Sequence, residues 1–534
     1  MFDTLLLNGM VIDGTGAPAR RADVAISGDR VAAVAPDLSA AESAVRVDCS
    51  GLCVAPGFVD THSHSDAYLL LDPGAPSKVS QGITTEIVGQ CGSSAAPFVG
   101  RSRLCSDWAT FEYPRPWHSF AEYRALLEEV RPALNVVAMV GHRMVRMGVM
   151  GPESRAATQD EVRAMERLLD EALAEGGAGL TTGLLYEPAC HATPDEVEAL
   201  AAVAARRGGR YATHLRSESS RLLEALDEAI SLSRNIGIPL QVSHFKTSGA
   251  ANWRLLPAAV ERIEAARAEG LAVHADRYPS PAAGTDLDIL LPDWAQRGGA
   301  AAERERLDDP ATRSRILGEM RAARDSAYAT ATATVSYWDT VQIGGTWTDE
   351  TRPFQGLRLT EAARRLGLNP AETVLWLIER DGLRTGGFFF GMSEDNLRSI
   401  LRLPWVMVGS DASLRSTFGP LSADHPHPRA FGSHARFLAM ARDEGLMPIE
   451  EAVRRLTGLP ARVFGLRDRG ELRPGAFADV VVFDRGTVRD AATYENPHQY
   501  ARGIEAVFVN GAPAMMHGRL THRRAGRLLQ PDAH

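Results

Sequence analysis

Hydrophobic positions along this chain fall into two kinds of pattern. Residues 54–60, 84–89, 135–140, 178–183, 210–214, 239–244, 272–278 and 405–410 are short, nearly unbroken apolar runs. Between most of them, at 160–175, 196–207, 221–236 and 256–269, Ala, Glu and Arg mix with apolar residues in a helical manner. A short apolar run reads as a strand buried on both faces. Such strands alternating with helices build a parallel sheet. Eight of them predict a (β/α)8 barrel. The two ends of the chain differ from this middle. Segments 4–7, 11–12, 23–27, 30–35 and 44–48 read as short strands punctuated by Gly, Asp and Pro. Near the other end, 478–483 and 504–509 are rich in β-branched residues, and Asn510-Gly511 is a strong turn signal. The ends therefore predict one small β domain, 1–55 plus 467–534, beside a barrel over 56–466. The seventh and eighth strands are separated by about 125 residues, far more than an ordinary loop. An insertion at about 279–404 is expected to hold structure of its own and to act as a lid or specificity region. No internal repeat or low-complexity tract interrupts the pattern.

Composition narrows the function. The 534 residues carry a net charge of −9 with no basic block and no basic–aromatic interleaving, which argues against a nucleic-acid partner. The N-terminus has neither a basic n-region nor a long apolar stretch, so no signal peptide is expected. No run of about 18 apolar residues exists, so no membrane span is expected either. The five cysteines, Cys49, Cys53, Cys91, Cys105 and Cys190, show no zinc-finger spacing and suit a reducing cytoplasm. Of the 58 lysines and arginines, only Lys78 and Lys246 are lysine. A chain so biased keeps Lys by chance or where guanidinium does not fit.

Barrel chemistry gathers at the C-terminal ends of the strands. The first predicted strand runs into His62 and His64, and residues two apart on a strand point the same way. These two can therefore reach one metal ion. The second strand ends near Cys91, the fifth at His214, the sixth at His244 and the eighth near Asp411. Four histidines, a cysteine and an aspartate at one mouth form a candidate metal centre. Lys78 falls in a predicted helix before the second strand and receives no functional assignment.

The motifs PGFVDTHSHSD (56–66), QGITTEIVGQCG (81–92), GHRMVRMGVMG (141–151), GAGLTTGLLYEP (177–188), YATHLRSE (211–218), SHFKTSG (243–249), DRYPS (276–280), GSD (409–411), HPHPR (425–429) and ENPHQYARGI (495–504) follow one another along the chain. In this series the chain resembles the amidohydrolase superfamily, and more narrowly the N-acyl-D-amino-acid deacylase (D-aminoacylase) family, over nearly its whole length. The resemblance implies a TIM-like amidohydrolase barrel with a small β-sandwich domain formed by both termini. Many superfamily barrels bridge two metals with a carboxylated lysine on the fourth strand. Here that strand ends Leu180-Thr181-Thr182-Gly183, without lysine. The D-aminoacylase pattern substitutes a second-strand cysteine, which Cys91 matches. It implies a tight zinc site from Cys91, His214 and His244, and a weaker position from His62, His64 and Asp411.

The implied reaction is zinc-dependent hydrolysis of a small N-acyl-D-amino acid to a carboxylate and a free D-amino acid. Asp411 would take a proton from the attacking water and pass it to the leaving amine. By resemblance, Arg429, Tyr278 and Thr285 would hold the substrate carboxylate. Lys246, two residues beyond His244, is a further candidate for substrate binding if the strand continues. The loop 412–424 looks longer than in the family, and with Asn252-Trp253 it is placed to reshape the pocket. Alternatives are a cyclic-amide hydrolase, a pathway-specific deacylase and an inactive, assembly-type relative. The missing lysine argues against the commoner members of the first, and retention of all six ligands against the last.

Overall fold

The computed structural model describes residues 1–105, 107–325 and 336–533. Part of the predicted insertion, 326–335, lies outside these. Eight parallel strands close a barrel in chain order: Phe58–Asp60, Ile83–Val88, Asn135–Ala138 continued by Val140–Gly141, Gly179–Gly183, Arg210–His214, Leu240–Val242, Val273–Arg277 and Val406–Val408. The third strand joins the two hydrogen-bonded sheets, because its first half pairs with Ile83–Val88 and its second with Gly179–Gly183. The eighth strand meets the first where Thr61 N–H donates to Val408 O and Ser63 bridges Ala412. All six residues of Ile83–Val88 are buried, as a strand covered on both faces requires, although Thr84, Thr85 and Glu86 are polar and Glu86 needs the buried Lys78 as its countercharge.

Helices pack around the outside. Gln159–Ala174 opens with a capping box between Thr158 and Glu161, which satisfies two orphan amides and contributes about 1 kcal/mol. It buries Met165, Leu169, Ala172 and Leu173, one helical stripe, against the barrel. Among the described residues no helix is long and apolar enough to cross a membrane.

The predicted strand 54–60 is in fact two strands. Cys53–Pro56 pairs with Val480–Phe483 and with Met10–Val11, whereas Phe58–Asp60 pairs with Ile83–Val88. Pro56 has no N–H to extend a ladder, so the chain passes to another sheet there. Gly57 makes the crossing, and a side chain there would stand 2.2 Å from Thr84. The terminal segments form one nine-stranded sheet that branches at Phe2–Val11. Arg30–Ala35 returns to the C-terminal part through an Arg30–Phe477 bridge, so the sheet wraps a common core of Leu6, Val24, Ile26, Val480, Val482 and Phe508. The C-terminal tail also reaches the barrel, where Leu529 N–H donates to Val136 O.

Between the seventh and eighth barrel strands lies a unit with its own core. Ala283–Asp286, Val341–Ile343 and Gly386–Phe389 form an antiparallel sheet, and five helices surround it, the longest being Pro310–Asp325. Leu287, Leu290, Ile316, Val341, Leu375 and Ile378 pack together apart from the main core. Helix Glu394–Arg402 then returns the chain, burying Leu397, Ile400 and Leu401 in the main core.

Candidate active site

The six candidate ligands meet at the barrel mouth, but mostly not from the strands themselves. His62 and His64 follow the first strand in extended register, which the Ser63–Ala412 bridge maintains. Cys91, His244 and Asp411 lie beyond their strands in left-handed turns, with φ of 53°, 37° and 49°. Non-glycine residues adopt this region rarely, and such strain concentrates at functional sites. Each turn bends a donor inward where a continuing strand would carry it past the mouth. Gly92 makes the Cys91 turn possible, since it has φ 75° and a side chain there would meet Gly183 N at 2.7 Å.

Donor atoms of His62, Cys91, His244 and Asp411 all lie within 4.8 Å of one another, and those of His214, Glu218 and His244 do likewise. The Cys91 Sγ stands 3.3 Å from both His62 Nε2 and His244 Nε2. The Asp411 Oδ1 is 3.3 Å from His62 Nε2 and 3.2 Å from His64 Nε2. The two implied metal positions thus share one contiguous cluster, with His62 as close to Cys91 as His244 is. The ring of His214 lies 4.4 Å from that of His244, and neither of its buried nitrogens completes a hydrogen bond. A thiol, imidazoles and a carboxylate fit zinc, and buried nitrogens left over fit a bound ion better than a hydrogen-bonded structural role.

Electrostatics agree with that fit. Burial works to raise the Cys91 thiol, but the nearby His62 and His244 outweigh it and hold the thiol well below its usual value. Burial opposes charge on His64, yet hydrogen bonds to Asp411 and Cys91 push it up to about 9. Asp411 is held well below the carboxylate range despite burial, chiefly by Arg429.

Three further residues complete the site, and the sequence reading missed their roles. Asp276, on the seventh strand, approaches His62 Nδ1 at 3.2 Å and accepts the His244 N–H at 2.9 Å. Glu218, four residues after His214, lies 3.0 Å from His244 Nδ1. Carboxylates on the far ring nitrogen orient a metal-binding imidazole. Tyr186 stacks edge-on against His214, and both Tyr186 and Thr285 line the cavity. All three lay inside recognised motifs, at 276–280, 211–218 and 177–188, but carried no local pattern of their own.

The condition on which Lys246 would share a face with His244, a sixth strand that continues, is not met. The strand ends at Val242, the chain turns at His244, and Lys246 folds back so that its Nζ lies 2.8 Å from His244 Nδ1 and 2.5 Å from Glu218 Oε1. Lys246 still lines the cavity, with its ammonium already shared. Arg429 Nη1 is ion-paired with Asp411 Oδ2 at 2.8 Å, and its guanidinium lies over the Tyr278 ring. The Arg429 Nε and the fully buried Tyr278 hydroxyl have no hydrogen-bond partner. Burial raises the Tyr278 phenol, but Lys246, Arg277 and Arg429 together bring it below its ordinary value. Two orphan donors beside cations make a receptor for a carboxylate.

These groups open into a 1190 Å³ cavity walled on one side by the inserted unit, including Thr285, Phe388 and Phe389. Ser413, Arg415 and Asn252 line it too, as their sequence positions suggested. Trp253 does not, and its indole N–H donates to Gly391 O instead.

A family model described as "Amidohydrolase family" matches residues 46–515. An N-acyl-D-glutamate deacylase from Alcaligenes xylosoxydans xylosoxydans is 38% identical, covering 99% of this chain and 97% of the relative. A D-aminoacylase from the same organism is 37% identical over 100% and 98%. A solved N-acyl-D-glutamate deacylase from Bordetella bronchiseptica, complexed with zinc and a phosphonate mimic of the reaction's tetrahedral intermediate, superposes with a TM-score of 0.82. It is 36% identical and covers 99% of each chain.

Proposed function

This chain belongs to the amidohydrolase family, and we propose that it is a zinc-dependent deacylase that hydrolyses the amide bond of N-acyl-D-amino acids. Cys91, His214 and His244 would hold the tight zinc, and His62, His64 and Asp411 a weaker one. Zinc bound there polarises an amide carbonyl and makes hydroxide available near neutral pH. The observation that carries the reading is the junction of two receptors: the donor cluster and the orphaned pair Tyr278 and Arg429 meet at Asp411.

That junction orders the substrate. Arg429 and Tyr278, with the Thr285 hydroxyl, hold the α-carboxylate. The α-carbon and amide nitrogen follow directly, so a carboxylate clamped on Arg429 brings the leaving nitrogen to the carboxylate paired with that same arginine. Asp411 is ionised and its Oδ1 faces the cluster. It takes the proton of the attacking water at Oδ1 and delivers it to the departing amine. Asp276 and Glu218 keep the rings of His62 and His244 oriented. The D-preference rests on the relatives' names. All five cysteines are unpaired, which supports a reducing cytoplasm as the setting.

The test is incubation of zinc-loaded protein with racemic N-acetylmethionine, N-acetylphenylalanine and N-acetylglutamate, with released amino acid resolved by chiral chromatography. Release of the D-enantiomer alone is expected. Release of neither enantiomer from any of the three at full zinc occupancy overturns the assignment.

A further inference from the structure

Lys78 sits in the short helix Pro76–Val79, is 0% exposed, and lies among oxygens. Its Nζ is 2.8 Å from Asp60 Oδ2, 2.9 Å from Glu86 Oε1, 2.9 Å from Ser410 Oγ, 2.9 Å from Ala412 O and 3.2 Å from Ser63 Oγ. These partners come from the ends of the first, second and eighth barrel strands. Two of them, Ser410 and Ala412, flank Asp411, and Ser63 sits between His62 and His64. Asp60 extends the same hub, since its Oδ1 accepts the Ser410 N–H at 2.8 Å and the His62 N–H at 3.3 Å. Asp411 N–H in turn donates to His62 O at 2.8 Å.

The ammonium therefore touches no candidate ligand, yet it ties together the segments on either side of three of them. The need is visible in the backbone. Asp411 holds a φ of 49°, a conformation that persists only when surroundings over-determine it. Five oxygens converging on one point call for a compact charge with three rotatable donors. A planar guanidinium would overrun the space. This explains lysine here in a chain that otherwise uses arginine almost throughout.

We propose that Lys78 is a positioning residue for the hydrolysis: its buried ammonium clamps segment 410–412 to segment 62–64 and so sets the angle at which the Asp411 carboxylate meets the reacting water and amine. The proposal rests on the reading of Asp411 as the proton-transferring group.

Two variants test it, Lys78→Met and Ser410→Ala, each assayed as zinc-loaded enzyme. Lys78→Met leaves Asp60 and Glu86 without their countercharge, a change that endangers folding; Ser410→Ala removes one contact of the clamp from a small side chain and keeps the question open to measurement. For Lys78→Met, zinc content and KM are expected to stay near wild type while kcat falls about 100-fold, the cost of misplacing a reacting group by about 1 Å. For Ser410→Ala the fall in kcat is expected to be about 10-fold on the same basis. Amide hydrogen exchange across 406–414 should quicken in both. A folded, zinc-loaded Lys78→Met enzyme with unchanged kcat overturns the clamp, as does raised KM at constant kcat. If only Ser410→Ala folds, unchanged kcat and unchanged exchange overturn it. Wild-type protein that turns over no N-acyl-D-amino acid would refute the deacylase reading instead, and the exchange rates would still judge the clamp.

Discussion

The two walls of the cavity are built differently. On the barrel side the functional groups are buried and bonded several times over: His62 is 0% exposed and contacts Cys91, Asp276 and Asp411. On the inserted side, Ala283–Asp286 is half-buried along its whole length and belongs to a unit with a separate core. Chemistry demands fixed geometry, which rigid strand ends supply. Fit to a substrate demands variety, which a separately cored insertion can change without disturbing the barrel. If this division holds, barrel-side changes strike kcat and metal, whereas insertion-side changes strike KM.

The largest effect should come from Asp411→Asn, which keeps the tight zinc and lowers kcat by about 10³-fold or more, as loss of a general acid–base group does. Near-normal turnover would remove Asp411 from proton transfer. Cys91→Ala should lose the tight zinc outright, read by metal analysis after gel filtration, and turnover should vanish with it. Arg429→Gln crosses the boundary, since it touches both Asp411 and the substrate. Losing a charge-assisted contact costs about 1.5–3 kcal/mol, so KM should rise by about 10- to 100-fold. Thr285→Val, wholly on the inserted side, should raise KM by only about 3- to 10-fold with kcat unchanged. A fall in kcat there would break the comparison.

The smallest effects concern stability, and segments 287–308 and 272–278 should respond to pH in opposite directions. Burial, reinforced for Asp288 by Glu303, pushes both of these insertion carboxyls up to about 7. The folded unit keeps protons that the unfolded chain has released, so this stability is present at low pH and lost as pH rises through about 7. On the barrel, burial and then Arg267 and Arg462 bring His274 down to about 4. The unfolded chain binds a proton that the folded barrel refuses, so stability falls as pH drops from about 6.5 to about 4. Hydrogen exchange at pH 5 and pH 8 should find 287–308 better protected at pH 5 and 272–278 better protected at pH 8, after correction for intrinsic rates. Asp288→Asn and His274→Phe should each flatten their own region's trend.

Much of this was legible in the chain because it depends on local periodicity. His62 and His64 share a face by strand alternation, and the long gap before the eighth strand announced extra structure. What escaped depends on turns and on distant partners. Cys91, His244 and Asp411 were visible as residues near strand ends, but left-handed turns decide where they point, and strand periodicity stops before them. Lys246 folds back for that reason rather than continuing outward. Asp276 looks like any polar residue closing a strand until His62 is placed across from it. Residues 54–60 read as one strand because both halves are apolar, and only the pairing partners divide them at Gly57. Lys78 carried no local signal, since all its partners except the nearby Asp60, Ser63 and Glu86 lie more than 330 positions away.

Both lysines are withdrawn from solvent, Lys78 at 0% and Lys246 at 4% exposure. Reagents that acylate lysine would therefore find neither ε-amine on the outer surface of the folded chain. Dye incorporation at Lys78 should instead await unfolding, so that lysine acylation becomes a low-background clock for opening of the barrel.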